Sequence, residues 1–326
     1  MRQFGRLICV GVFLICGLLG AHRPALADDY PARPIRILVG YAAGGVVDII
    51  ARMYAKELTT RLGQSVIVDN VASGYMQRAT ETALRSEPDG YTLLIGTNEM
   101  LMWPYLRDDY RFRMLTDFAP VATMAKNWTV FAINNKLPAK SFSEFIEYAK
   151  KNPGKLKYGS SGVGGVLHIV GELLKQKTGI DMVHVPYRSG SQSVTDLLAG
   201  QIDMASIGVA SSRSLDPARA HVIAQTGPTR HPMLPDVPTT AELGLPEVRI
   251  TPWFFLLGQK DIPKPVIARL STEMNAISQT AAFRQQLEKI GFVAEPMTHE
   301  EFVAGLNAEA TRWKAVIPTM GLRAAH

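Results

Sequence analysis

One local pattern, written twice, constrains this chain more than any other feature. Ile35-Arg36-Ile37-Leu38-Val39 is an apolar run of strand character that passes through Gly40-Tyr41-Ala42-Ala43-Gly44-Gly45 into an amphipathic stretch ending near Leu62. Leu156 to Gly159 leads in the same way through Ser160-Ser161-Gly162-Val163-Gly164-Gly165 into a helical stretch through His168 to Lys177. Each unit reads as strand, glycine loop, helix. A helix N-terminus presents unpaired N–H groups and a partial positive charge, and glycines let a ligand approach them closely. The two mouths lie about 120 residues apart. The expectation is one mouth in each of two α/β lobes, with an anionic ligand held between them.

The 326 residues open with Arg2 and Arg6, an apolar run from Leu7 to Gly20, and Ala25-Leu26-Ala27. A charged start, a short apolar middle and an A-x-A site predict a secretory signal peptide over residues 1–27, cleaved before Asp28. The apolar run is shorter than the ~20 residues a spanning helix needs. Neither Cys9 nor Cys16 follows the small residue that a lipoprotein signal requires. Both cysteines fall in this leader, so the mature chain is expected to rely on its core rather than on disulfides. The remaining 299 residues suffice for two lobes. Loss of Arg2, Arg6 and Arg23, with no acid, lowers the formal charge from +6 to +3. No lysine/arginine cluster survives, so nucleic acid is not an expected partner.

Strand-like runs alternate with helical ones, which predicts βαβ units and doubly wound parallel sheets. In the first half, strands are expected at Arg33 to Tyr41, Ser65 to Asn70, Tyr91 to Gly96, Phe118 to Met124 and Thr129 to Ile133, with a helix over Gly74 to Arg85. The pattern then restarts. Ser141 begins a helix to Lys151 with Glu144 placed for a capping box. Helices follow over Val163 to Thr178 and Gln192 to Ala199, and strands over Met182 to Pro186, Ile202 to Ile207, His221 to Gln225 and Ile250 to Leu257. The tail is helical from Pro263 to about Thr319, with a weak strand at Gly291 to Glu295. This predicts a return of the chain onto the first lobe. Lobe 1 is then 28–126 plus 254–326 and lobe 2 is 127–253, with crossings near Asn127 and Trp253.

Familiar catalytic motifs fail on inspection. Gly40-x4-Gly45 has Val46 where a phosphate loop needs lysine. Gly159-Ser160-Ser161-Gly162 is followed by Val163 where a nucleophile elbow needs glycine. Scattered histidines and no H-E-x-x-H give metal chemistry no support. No catalytic residue, metal or cofactor is expected. His168 is equally a packed histidine or a ligand contact. Asp48 bonds the backbone of the first helix turn or the ligand, the former being favoured. Trp128 and Trp253, at the crossings, are core residues or cleft walls.

The ordered segments together resemble the tripartite tricarboxylate transporter substrate-binding family, the Bug proteins. The resemblance rests on Tyr30-Pro31-x-Arg33-Pro34-Ile35-Arg36, Gly44-Gly45-x-x-Asp48-Ile49 and Pro88-Asp89-Gly90-Tyr91-Thr92-Leu93-Leu94. It continues through Leu137-Pro138-Ala139-Lys140-Ser141, Asn152-Pro153-Gly154-Lys155-Leu156, Val183-His184-Val185-Pro186-Tyr187, Thr195 to Asp203 and Leu234-Pro235-Asp236-Val237-Pro238-Thr239. It implies a type II periplasmic-binding-protein fold whose lobes close on a small organic carboxylate. It also implies a monomeric periplasmic receptor serving the membrane subunits of a transporter. The implied ligand contacts are Tyr41, Ala43, Gly44, Gly45, Val47 and Asp48 at the first mouth, with Asn98 nearby. Ser160, Ser161, Gly164, Gly165 and His168 form the second mouth, joined by Trp128, Tyr187 and Ile207.

Departures from the family pattern bear on the ligand. Val47 stands where threonine is usual, Gly165 where serine is common, and Ile207-Gly208 where Asp-Asn is frequent. Val71-Ala72-Ser73-Gly74-Tyr75-Met76 replaces Arg-Pro-Gly-Ala-Gly-Gly. Fewer hydroxyls and more apolar side chains point to a monocarboxylate, or an aromatic or longer-chain acid, lying against Trp128, Tyr75 and Met76. Micromolar affinity is ~8 kcal/mol, more than two helix ends at up to ~2 kcal/mol each supply, so further contacts are required. The alternative functions are a sensing module for a sensor kinase and a secreted serine hydrolase using Ser160 or Ser161 with His168.

Overall fold

The computed structural model describes residues 30–322. The expected leader and its cleavage site lie outside the described residues. In the first lobe β1 (Ile35–Val39) leads to α1 (Val46–Leu62), β2 (Val66–Asn70), α2 (Gln77–Leu84) and β3 (Thr92–Thr97). Two short helices, α3 (Trp103–Leu106) and α4 (Met114–Asp117), precede β4 (Phe118–Lys126). The second lobe runs β5 (Thr129–Asn134), α5 (Phe142–Lys151), β6 (Leu156–Ser160), α6 (Val166–Thr178), β7 (Met182–Pro186), α7 (Gly190–Ala199), β8 (Met204–Gly208), α8 (Val209–Ser212) and β9 (Ala220–Gln225). The chain then returns through β10 (Trp253–Gln259), α9 (Lys264–Gln279), α10 (Ala281–Lys289) and α11 (His299–Val316).

The sheets share one plan, β2-β1-β3-β10-β4 and β7-β6-β8-β5-β9. In each, three strands are parallel and the fourth runs antiparallel to both neighbours. The sheets are therefore mixed, where strand–helix alternation alone predicts parallel ones. The antiparallel strand arrives in each case by a crossing from the other lobe, which local sequence does not encode. Ile35, Ile37, Leu38 and Val39 are all buried, as a strand covered by helices on both faces requires.

Several local differences have visible causes. The expected helix over Gly74 to Arg85 begins as a 3₁₀ turn, because Tyr75 (φ 53) and Met76 (φ 56) take left-handed backbone before α2. Ser141 Oγ does accept from Glu144 N, but the Glu144 carboxylate accepts from Lys140 N rather than closing a reciprocal box on Ser141. The weak strand near Val293 is an isolated bridge to Lys126. The helical return packs on the first lobe, with α9 against α1 and β4. It also reaches the second, where Gln176 Nε2 donates to Thr319 Oγ1 (3.1 Å).

The crossings lie side by side. Asn127 N donates to Pro252 O (2.9 Å), and Thr226 Oγ1 donates to Ile250 O (2.7 Å). Asn98 fastens the end of β3 to the same place, accepting from Trp253 N (3.1 Å) and donating to Thr251 O (3.1 Å). Among the described residues no helix is long and apolar enough to cross a membrane.

Candidate ligand-binding cleft

The two glycine loops fold into nearly the same backbone. Gly44 has φ +79 and Gly164 φ +78, values that L side chains rarely adopt. The helix caps that follow also match, Gly45 at φ −73, ψ 164 and Gly165 at φ −81, ψ 163. Neither N-cap residue, being glycine, supplies a side-chain cap, so the first N–H groups of each helix are left for an acceptor from outside the helix. The residue four beyond each left-handed glycine turns back to hold it. Asp48 Oδ2 accepts from Gly44 N (2.9 Å), and His168 Nδ1 accepts from Gly164 N (3.2 Å). Both side chains are buried. Asp48 and His168 thus each hold the left-handed glycine of their own mouth.

Burial opposes ionisation of Asp48, but Arg52, the Gly44 N–H and Asn70 outweigh it and hold the carboxyl below its usual range. Burial keeps His168 low, consistent with a neutral ring whose Nδ1 accepts. His168 stacks on His184 with ring centroids 4.0 Å apart, and His184 Nε2 lies 2.8 Å from Ser160 Oγ. Ser160 is fully buried. Its histidine neighbour is His184, so the pairing with His168 that a hydrolase would use is not formed.

This layer predicts a pH dependence. Burial first, then His168 and Lys175, hold His184 at about 3, and burial holds His231 at about 4. Below the unfolded value of about 6.5 the unfolded chain gains protons that the folded chain refuses. Stability is therefore present above pH 6.5 and lost as pH falls towards about 3. A one-proton difference is worth about 1.4 kcal/mol per pH unit. Glu99, whose carboxyl burial raises, acts in the opposite sense. Urea unfolding should show stability flat from pH 8 to 7 and falling from 6.5 to 5, with a shallower fall in His184→Asn. Identical profiles for the two proteins would refute the assignment.

Both mouths open on a cavity of about 570 Å³ between the lobes. Of the residues expected to contact ligand, Tyr41, Gly45, Val47, Asn98 and Ser161 line it. Ala43, Gly44, Gly164 and Gly165 belong to the two loops but not to the lining. Tyr187 donates to Asp196 Oδ2 (2.7 Å), and Ile207 lies in the core of the second lobe. Trp128 is also core there, its Nε1 donating to Thr229 O (2.6 Å) and its ring edge-on to His231. Tyr75 packs against Trp103 beneath Arg107, and Met76 is buried beside Gly40. The expected apolar wall of Trp128, Tyr75 and Met76 is thus displaced by Val46, Val166, Leu167, Pro252, Phe254 and Phe292. A larger depression of about 830 Å³ beside Asn135 and His221 has walls from one lobe only. Ser141 and Glu144 already satisfy the helix start next to it.

Among the polar lining residues that the sequence reading does not offer as contacts, three stand out. Arg188, between β7 and the Ser189 cap of α7, is exposed and has no side-chain hydrogen bond or ion pair among the described residues. The Thr97 hydroxyl is buried beside Tyr41 without completing a hydrogen bond of ordinary geometry. Glu99 accepts from Val166 N (3.0 Å) and from the Tyr41 hydroxyl (3.2 Å). One signal was available: all three sit at or just after the carboxyl ends of strands, where open α/β sheets bind ligands. Among the described residues no cluster of His, Cys, Asp or Glu is placed to hold a metal ion.

The model of the tripartite tricarboxylate transporter family receptor matches residues 50–322. The chain belongs to that family. Protein BugT of Bordetella pertussis is 30% identical over 335 residues, spanning 99% of each chain. A solved periplasmic transporter is 36% identical with a TM-score of 0.78, covering 90% of this chain and 99% of that one. Rpa4515 of R. palustris, solved with adipate, is 28% identical with a TM-score of 0.79, covering 91% and 100%. MatC from Rhodopseudomonas palustris, solved with malate, is 25% identical with a TM-score of 0.74, covering 88% and 100%. As a tripartite tricarboxylate-family receptor the chain is a solute-binding protein and not an enzyme, which removes the hydrolase alternative.

Proposed function

We propose that the protein is a periplasmic receptor that captures a small organic acid between its lobes and delivers it to the membrane subunits of a tripartite tricarboxylate-type transporter. Lobe 1 comprises 28–126 and 254–326, and lobe 2 comprises 127–253. The observation that carries this reading is the pair of matching glycine mouths facing one interlobe cavity. The adipate and malate held by structural relatives support the ligand class. The ligand carboxylate docks at the first-turn N–H groups of α1 and at Arg188, and its body lies against Phe254, Phe292 and Leu167. Apolar contact at ~25 cal/mol per Å² compensates for the hydroxyls missing at Val47 and Gly165. A charged group facing N–H donors contributes ~1.5–3 kcal/mol per hydrogen bond.

A thermal-shift screen of organic acids on the chain from Asp28 tests the reading. A ligand at 100 times its Kd stabilises the folded state by about 2.7 kcal/mol, so at least one small carboxylate should raise Tm by several degrees. A panel of mono-, di- and tricarboxylates that leaves Tm unmoved contradicts it.

A further inference from the structure

The two mouths share a backbone, yet only one is occupied from within. Val166 N, the first donor of α6, already has a carboxylate acceptor in Glu99 Oε1 at 3.0 Å. Oε2 of the same group takes the Tyr41 hydroxyl at 3.2 Å. Glu99 thus reaches from the end of β3 in the first sheet to the helix start of the second lobe. Among the described residues no counterpart side chain reaches back to the start of α1. Strand register pairs Leu38 with Leu94 and Tyr158 with Met204, so counting on from each pair sets Val209 against Glu99. Val209 is fully buried core. The position before it, Gly208, borders the cavity with no side chain, where the first lobe has Asn98.

The cleft therefore has one open anion position and one that the protein fills itself. The open one is the α1 mouth, and the Thr97 hydroxyl and the Arg188 guanidinium line the same cavity with no hydrogen-bond acceptor of ordinary geometry among the described residues. At the filled one stands the Glu99 carboxyl, both of whose oxygens already accept hydrogen bonds. A diacid long enough to touch both mouths brings its second carboxylate against Glu99 and finds Val166 N already engaged. A monoacid brings only its apolar end there, beside Val166 and Leu167. Discrimination by a repulsive element is a general route to specificity.

We infer that Glu99 is the specificity-determining residue of this receptor, limiting its ligand to a single carboxylate and rejecting diacids of the same carbon skeleton. The inference rests on the receptor reading above and sharpens its ligand class to monocarboxylic acids with an apolar body. It also marks a difference from relatives solved with adipate and malate.

Calorimetry on matched pairs tests it: hexanoate against adipate, and benzoate against terephthalate. For the unaltered protein the monoacid of at least one pair should bind at least about tenfold more tightly, equivalent to about 1.4 kcal/mol. Glu99→Gln keeps the side chain's shape and removes its charge, and should cut that preference about tenfold by strengthening the diacid. Thermal melts establish that the variant is folded, and the preference of the unaltered protein is informative without it. A diacid preference in the unaltered protein overturns the inference while leaving the receptor reading intact. So does a preference unchanged in a folded Glu99→Gln. If no mono-, di- or tricarboxylate binds either protein, the receptor reading fails and the inference with it.

Discussion

Trp128→Ala lowers the stability of the protein by about 3–5 kcal/mol, the range for deleting a large buried aromatic. The ring is 5% exposed, hydrogen-bonded to Thr229 O and packed into the second-lobe core. It also fills the space over Gly227, where an added Cβ would lie 1.8 Å from Trp128 Nε1. Gly227→Ala should therefore be destabilising as well, by overpacking rather than by a void. Urea unfolding measures both. Because the ring does not border the cleft, Trp128→Phe should lose stability while binding acids with unchanged affinity. A folded Trp128→Phe that loses most of its affinity would return the tryptophan to the cleft wall.

Arg188→Ala weakens carboxylate binding by about 10- to 100-fold. A charge-assisted hydrogen bond is worth ~1.5–3 kcal/mol, and each 1.4 kcal/mol is about tenfold in Kd. The guanidinium lines the cavity and is committed to no other side chain among the described residues. Its removal should therefore change stability by no more than about 0.5 kcal/mol. Arg188→Lys should keep part of the affinity, since it retains the charge and loses the planar fork. Calorimetry with the acid selected by thermal shift measures all three. Equal Kd values for Arg188→Ala and the unaltered protein would show that the acid group sits elsewhere.

What the sequence reveals and what it hides follow one physical division. The glycine mouths are legible because their causes are local: an apolar strand, two glycines, then helical periodicity. The roles of Asp48 and His168 were legible as alternatives, and the i to i+4 bond to a left-handed glycine is the structural one of the two. Glu99 was not legible, since its partner Val166 is 67 residues away and joins it only when the lobes meet. The antiparallel β10 and β5 were hidden for the same reason, each being delivered by a crossing. Tyr75 and Met76 read as helix formers, yet the backbone turns left-handed there. Trp128 lies at a crossing, as expected, but which way its ring faces depends on Gly227, about a hundred residues further on.

The central claim is that an organic acid is held between the lobes by the α1 mouth. A crystal structure of the chain from Asp28, grown with the acid selected by the thermal screen, addresses it directly. The account predicts the acid in the interlobe cavity, its carboxylate within hydrogen-bond distance of the α1 first-turn N–H groups and Arg188, with Glu99 still on Val166 N. An acid bound outside that cavity, or one whose carboxylate replaces Glu99 at α6 while the α1 mouth stays unused, would contradict it.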